Sequence, residues 1–349
     1  MTVRILQGDC RHVLKTLPDA SVHCVVTSPP YFGLRDYNVD GQIGLEASPA
    51  EFIKAMVEVF REVRRVLRSD GTLWLNLGDS YAASGRGGGE GSFQDGDIGT
   101  KVSKQNSRRA PVAGFKQKDL LLMPARVAIA LQEDGWYLRQ DIIWSKPNPM
   151  PESVRDRCTK AHEYVFLLSK SPRYFYDAEA IAEPVSAATV AHLAQDVDAQ
   201  AGSLRVPGKT NGPMKAMAPR SRRDSFKRED SKRAQPIPGQ RVATHRPDRA
   251  ESEYPLDRRN KRSVWEITTK GFAEAHFATF PPELPEICIK AGCPQGGVVL
   301  DPFGGAGTTG MVADRLQRDA ILIELNPEYA AMAERRIRGD APLLTEIRA

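Results

Sequence analysis

The stretch Asp301-Pro-Phe-Gly-Gly-Ala-Gly-Thr-Thr-Gly310 decides the fold. Before it, Gly297-Val-Val-Leu300 is a short apolar run that reads as a buried strand. After it, Met311-Val-Ala-Asp-Arg-Leu316 takes on helical apolar spacing, and Ala320-Ile-Leu-Ile-Glu324 supplies a second strand. Glycines at 305, 307 and 310 allow a tight turn, close approach to a ligand and packing of helix on sheet. Glu324 ends the second strand about twenty residues on, where a carboxylate accepts both hydroxyls of a ribose. The geometry predicts an adenosine-containing cofactor without saying which. No Lys follows the glycines, so a phosphate-cradling P-loop is excluded. A nicotinamide or flavin dinucleotide and a purely structural glycine turn stay open. Asp301 weighs against a dinucleotide: it would repel a pyrophosphate, whereas it suits the ammonium and sulfonium of S-adenosylmethionine.

Outward from this stretch, the 349 residues allow two domains or one large α/β domain with insertions. A hydrophobic content of 41% is enough for a sizeable core. No apolar run reaches the roughly 18 residues of a membrane span, and the start lacks a signal-peptide pattern. The five cysteines (10, 24, 158, 288 and 293) have no CxxC spacing. They predict reduced, structural thiols without a zinc site, in a cytoplasmic protein.

Near the N-terminus, Val3-Arg-Ile-Leu-Gln-Gly-Asp9 reads as a strand ending in Gly-Asp, and Ser21-Val-His-Cys-Val-Val26 as a second strand. The latter runs into Thr27-Ser-Pro-Pro-Tyr31. Two adjacent prolines cannot continue a sheet ladder, so the chain leaves the sheet rigidly at a strand's carboxyl end. Ligands bind there in open α/β sheets. Proline carbonyls are fixed acceptors, Ser28 adds a hydroxyl and Tyr31 a flat ring. Together they suit an exocyclic amine on a planar heterocycle; a Pro-Pro turn beside a core Tyr is the structural alternative.

Thr27-Ser-Pro-Pro-Tyr31 followed by Asp301-Pro-Phe-Gly-Gly-Ala-Gly-Thr-Thr309 resembles the amino-methylating DNA methyltransferases, in the motif order of their beta class. The resemblance covers the chain outside roughly 84–118 and 180–262. It implies a Rossmann-like S-adenosylmethionine-dependent methyltransferase fold: α/β, a mostly parallel sheet with helices on both faces, plus a basic target-recognition insertion. It also implies S-adenosylmethionine as cofactor and double-stranded DNA as partner. The catalytic residues would be Ser28, Pro29, Pro30 and Tyr31. Cofactor contacts would come from Asp9, Thr27, Phe280, Asp301, Pro302, Phe303, Gly304, Gly305, Gly307, Thr308, Thr309, Glu324 and Asn326, with no metal. Glu46 or a neighbour would lie near the cofactor, and Asn76 would face the site, with a structural turn as the alternative for Asn76 and Asp79.

Glu51 to Leu67 carries a helical apolar face, with Ser48-Pro49 as its start and Asp70-Gly71 as its close. Gly71 to Leu77 then reads as a strand. Leu120 to Leu131 reads as a helix with Pro124 near its first turn, and 137–144 and 163–168 as strands. Between those strands, Ser145-Lys-Pro-Asn-Pro-Met-Pro151 resembles a loop lining the target-base pocket, in which Lys146 and Asn148 are candidate DNA contacts. Ser263-Val-Trp-Glu-Ile267 and His276 to Ile287 return to the main domain, and Pro327 to Ile337 forms a final helix that caps the sheet.

Charge is unevenly distributed. Residues 84–118 hold seven Lys or Arg against three acidic residues, and 200–262 hold seventeen against seven, while the whole chain is only +5. Such concentration points to a polyanion, and Arg220, Arg222 and Arg223 are candidate phosphate or guanine contacts. The resulting division is a catalytic part at 1–179 with a mobile basic loop at 84–118, a target-recognition insertion at 180–262, and a cofactor-binding part at 263–349. No Pro-Cys nucleophile motif occurs, which argues against cytosine carbon-5 methylation. The reaction expected is methyl transfer to a flipped-out base. Within the family Ser at position 28 leans towards cytosine N4, with adenine N6 the alternative. A catalytically dead DNA binder, a dinucleotide oxidoreductase and an RNA or protein amine methyltransferase are the competing classes. Monomer or homodimer, and a cognate restriction endonuclease as companion, stay open.

Overall fold

The structure is a computed structural model that describes residues 1–34, 36–37, 39–82, 112, 114–186, 258–269, 279–340 and 346–348. The chain divides into two compact units, Met1–Ala180 with Arg262–Ala349, and Ile181–Lys261. Most of the basic 84–118 and 180–262 segments, Arg220, Arg222 and Arg223 among them, lie outside the described residues, as do 276–278.

The strands of the first unit are β1 (Thr2–Gln7), β2 (Val22–Thr27), β3 (Leu67–Leu77), β4 (Tyr137–Ser145) and β5 (His162–Ser169). In the second unit, β6 (Glu183–Pro184) pairs antiparallel with β7 (Arg258–Arg259), and Glu183 forms ion pairs with Arg259 and Lys261. The first unit resumes with β8 (Val264–Glu266), β9 (Val298–Asp301), β10 (Asp319–Glu324) and β11 (Glu346–Arg348). Its helices are α1 (Cys10–Val13), α2 (Pro49–Val66), α3 (Met123–Glu133), α4 (Glu283–Gly292), α5 (Thr308–Arg315) and α6 (Pro327–Asp340).

Nine strands form one sheet in the order β11-β1-β10-β9-β2-β3-β5-β4-β8. Every neighbouring pair is parallel except the two that involve β5, which runs against both β3 and β4. The mostly parallel α/β architecture is therefore the one expected. The reversal of β5 has a consequence for function: its first residues, not its last, lie at the edge where the other strands end.

The helices fall into two mutually packed groups, α1–α2–α3 and α4–α5–α6, and strand periodicity shows why both are needed. Along β3, Leu73, Leu75 and Leu77 join the cluster around α2 and α3, whereas Thr72 and Trp74 alternate to the other side. There Thr72 meets the Gly292 carbonyl at the end of α4. A strand buried on both faces reads as a near-continuous apolar run, as Val298–Leu300 of β9 and, apart from Asn76, Leu73–Leu77 of β3 do. In α2, Ser48 caps the first turn by accepting the Glu51 N–H, Pro49 opens the helix, and Phe52, Met56, Val59, Phe60, Val63 and Val66 face the sheet. Each such side chain contributes about 1.5–3 kcal/mol on burial.

Three boundaries differ from expectation. Asp70-Gly71 does not close α2, because the chain enters β3 directly at Leu67. The pair instead lies where the β2/β3 register jumps from Val22↔Leu67 to Cys24↔Thr72, an irregularity that takes up extra residues of β3. Leu120–Leu122 are not helical: Leu122 is left-handed at φ 54° and α3 starts at Met123, whose N–H is capped by Asp79. The final helix is followed by β11, which extends the sheet beside β1.

Gly307 combines two constraints at the start of α5. Its φ is +76°, and an added Cβ would sit 2.8 Å from the Cβ of Ala333 on α6. Gly307→Ala is expected to lower the unfolding free energy by about 2–4 kcal/mol, from left-handed strain and overpacking together. Urea denaturation checks this through a lower midpoint at unchanged slope.

Candidate active site

One cavity of about 740 Å³ opens along the carboxyl edge of the sheet. Its walls come from the last residues of the strands and those just after them: β1 (Gly8, Asp9), β2 (Ser28 to Tyr31), β3 (Asn76, Gly78, Asp79), β9 (Asp301 to Ala306) and β10 (Glu324 to Asn326). The parallel strands deliver all of these to one edge, and reversed β5 adds His162 and Glu163.

The half of the cavity beside β9 and β10 is built on two carboxylates. Asp301 is 1% exposed and accepts from the Thr27 hydroxyl (2.6 Å), the Thr309 hydroxyl (2.7 Å) and the Phe303 N–H (3.1 Å). Burial pushes its carboxyl upward from the ordinary 3.8, and these three donors hold it partly back. Glu324 accepts the Gly305 N–H (2.7 Å) and the Asn326 N–H (2.8 Å), so it ties the glycine turn to the end of β10. Burial raises its carboxyl as well. Each carboxylate has about four lone-pair sites, so both keep acceptor capacity toward the cavity they line. Asp9 caps α1 and is clamped by Arg11 through both oxygens.

Of the residues expected around a cofactor, Asp9, Phe280, Asp301, Pro302, Phe303, Gly304, Gly305, Thr308, Glu324 and Asn326 line this cavity. Thr27, Gly307 and Thr309 are not on the wall. The two threonines stand behind Asp301 as its hydrogen-bond donors, and Gly307 packs α5 against α6. Glu46 is also off the wall, accepting the Gly44 N–H. Tyr37, Leu325, Tyr329 and Met332, which sequence reasoning missed, line the cavity, with the Tyr37 and Tyr329 rings edge to face at 6.4 Å. The one available signal was an aromatic residue just inside the helix that follows Glu324.

The half beside β2 and β3 is a polar network. The Tyr31 hydroxyl lies 3.2 Å from Ser28 Oγ, 3.1 Å from Asn76 Oδ1 and 2.6 Å from Glu163 Oε2. Asn76 donates to the same Glu163 oxygen at 3.1 Å and to the Tyr164 carbonyl, and Lys146 pairs with the other carboxylate oxygen. Burial, then the Glu163 charge and the bond donated to it, holds the Tyr31 phenol well above its usual range. Burial lowers nearby Lys160, which donates to the Asp79 carbonyl at 2.7 Å. Ser28, Pro29, Pro30 and Tyr31 all line the cavity, as does Asn76. Two candidate DNA contacts have other partners: Lys146 lies over the Trp144 ring and binds Glu163, and Asn148 clamps Thr269. Asp79 accepts the Ser80 and Met123 N–H groups, a structural turn role, although it borders the cavity. Glu163 was the main omission, since a glutamate at the start of an apolar strand carries no motif. Cys10 also reaches the cavity, but burial pushes its thiol to about 12, which leaves it protonated at neutral pH.

A family model described as DNA methylase matches residues 22–335. The Type II methyltransferase M.SmaI of Serratia marcescens is 42% identical over 334 residues, covering 96% of this chain and 90% of its own length. The solved PvuII DNA methyltransferase, described as cytosine-N4-specific, has a TM-score of 0.56 at 17% identity, covering 99% of this chain and 96% of that one. A putative DNA modification methylase from Thermus thermophilus, complexed with S-adenosyl-L-methionine, has a TM-score of 0.53 at 23% identity, covering 99% of this chain and 100% of that one. These two structures share the Rossmann-like fold.

Proposed function

The chain belongs to the DNA methylase family of N6- and N4-amine methyltransferases, and from that premise we propose that it methylates the N4 amine of cytosine in double-stranded DNA. The observation that carries this reading is that Ser28-Pro-Pro-Tyr31 and the Asp301–Ala306 turn line one cavity. Neutral Ser28 directs the choice of amine, following the leaning of Ser towards cytosine N4 in the family.

The cavity suits the methyl donor on the chemistry of its polar groups: a buried carboxylate for an ammonium, a second for ribose hydroxyls, and glycine backbone between them. Asp301 and Glu324 would hold those two ends. Bound there, S-adenosylmethionine supplies an electrophilic methyl group carried on a sulfonium. Ser28 Oγ and the Pro29 carbonyl accept the N–H groups of the target amine, which aims its lone pair and raises its electron density. Holding the reactants in line supplies much of the acceleration. The base must leave the stack to reach this edge, and the Tyr31 ring is there to receive it. The seventeen Lys and Arg between 200 and 262 would neutralise phosphates and make binding steeply salt-dependent.

Cofactor affinity is expected to fall on acidification. Asp301 and Glu324 are both raised, so they lose charge at less acid pH than the ordinary 3.8 and 4.5. For the unliganded fold the sign is opposite: a carboxyl raised on folding stabilises below its unfolded value and loses that contribution as pH rises through the folded one. Calorimetric titration of the cofactor from pH 7.5 downward checks the first effect, and an affinity unchanged down to about pH 4 would contradict it.

The polymer acted on is tested with radiolabelled S-adenosylmethionine and equal amounts of PCR-amplified DNA, RNA and protein extract. Label entering DNA is the expected result, and label in RNA or protein alone would overturn the choice of DNA.

A further inference from the structure

We propose that Glu163 is a positioning residue for the reaction: acting through Tyr31, it orients Ser28 as a hydrogen-bond acceptor and takes up the proton that the amine loses. The inference rests on the amine-methylating reading of the site.

The argument begins with hydrogen direction. A phenol has one proton and several neighbours here. The Glu163 carboxylate at 2.6 Å is closer than the Asn76 amide oxygen at 3.1 Å, and it carries charge. Charge-assisted bonds of this kind are roughly twice as strong as neutral ones, so the Tyr31 proton points at Glu163. The Tyr31 oxygen is then an acceptor, and the 3.2 Å contact with Ser28 is made by the serine hydroxyl donating. With its own proton directed to Tyr31, Ser28 Oγ offers only lone pairs to the cavity. That is the form an N–H donor requires. Ser28 carries no charge of its own, and this chain of two hydrogen bonds connects it to one.

The same chain accounts for the proton. When the amine nitrogen forms its bond to the methyl carbon, the carbon–sulfur bond breaks and the sulfonium charge disappears. The nitrogen, now positive, must give up one N–H. That proton passes to Ser28 Oγ, the serine proton to the Tyr31 oxygen, and the tyrosine proton to Glu163 Oε2. The products are a neutral thioether, a neutral methylated amine and a neutral carboxyl, so atoms and charge balance without a further reactant.

The surroundings of Glu163 fit the role. It is held by Asn76 from β3 and by Lys146 at the start of the loop between β4 and β5, and Lys160 near the end of that loop adds a second cation nearby. Two separate elements thus fix a carboxylate that has no part in the core. It reaches the carboxyl edge only because β5 alone runs against its neighbours.

Glu163→Gln preserves size and an acceptor for Tyr31 but removes the charge, and Tyr31→Phe preserves the ring but breaks the chain. Single-turnover methyl transfer is expected to slow by about 100-fold in each, with cofactor and DNA dissociation constants within about twofold of wild type. The double variant should be no slower than the slower single one. A Glu163→Gln protein that transfers methyl at near the wild-type rate, or two losses that multiply in the double variant, would overturn the inference. Loss of cofactor or DNA binding in Glu163→Gln, in step with the rate, would assign Glu163 to the architecture and overturn it as well. No transfer by the wild-type protein would instead overturn the reading of the site, and this inference with it.

Discussion

Asp301→Asn is expected to weaken S-adenosylmethionine binding by roughly 30-fold to several-thousand-fold, the 2–5 kcal/mol typical when a buried charge pair loses one partner. The variant should nevertheless fold. An asparagine oxygen can still accept from Thr27 and the Phe303 N–H, and its amide can donate to the Thr309 hydroxyl, which reverses one bond rather than orphaning it. Asp301→Ala is the contrasting change. It removes the acceptor of the Thr27 hydroxyl and of the Phe303 N–H and leaves Thr309 only the Val26 carbonyl at 3.5 Å, at about 1–3 kcal/mol for each unmet donor, a large share of the 5–15 kcal/mol that holds a typical protein folded. Calorimetric titration and thermal melting separate the two: Asn loses affinity at near-normal stability, and Ala loses both. Retained affinity in a folded Asn variant would mean that the cofactor's cation is held elsewhere.

The second large effect is expected at Gly78, on the cavity wall just past β3. A Cβ there would lie 2.4 Å from Cε2 and 2.8 Å from Cδ2 of Tyr31, far inside contact distance. The ring is hemmed in by its bond to Glu163 and its contact with Asn76, so Gly78→Ala must displace Tyr31 or the end of β3. Misplacement by about 1 Å can cost roughly 100-fold in rate. Methyl transfer should fall by at least that factor while S-adenosylmethionine affinity stays near wild type, because Asp301 and Glu324 are on the other half of the cavity. Single-turnover kinetics beside a binding titration measure the split. An equal loss of both would show that the two halves are not independent.

Much of this site was legible in the sequence because its key residues sit in rigid local motifs. Prolines 29 and 30 end β2 wherever they occur, and the glycines after Asp301 require a turn before a helix. Both motifs therefore announced their own position at a strand end. Local reasoning also found α2 from Ser48-Pro49 and its apolar face. It failed where tertiary pairing decided the outcome. Asp70-Gly71 looks like a helix terminator, yet lies within β3 because register with β2 is irregular there. Thr27 and Thr309 belong to the expected motifs, but only the fold reveals that they serve Asp301 rather than facing the cavity. Glu163 was illegible for a topological reason. Nothing local distinguishes a strand that runs with its neighbours from one that runs against them, and that direction alone brings Glu163 to Tyr31 instead of the opposite edge of the sheet.

The central claim is that this edge joins a methyl donor to the N4 amine of cytosine. It is tested most directly by incubating the protein with unmethylated DNA and deuteromethyl-labelled S-adenosylmethionine, digesting to nucleosides and identifying the labelled product by mass spectrometry. Labelled N4-methylcytosine is the predicted result. Labelled N6-methyladenine would contradict the assignment of cytosine, and with it the use of Ser28 to choose between the two amines.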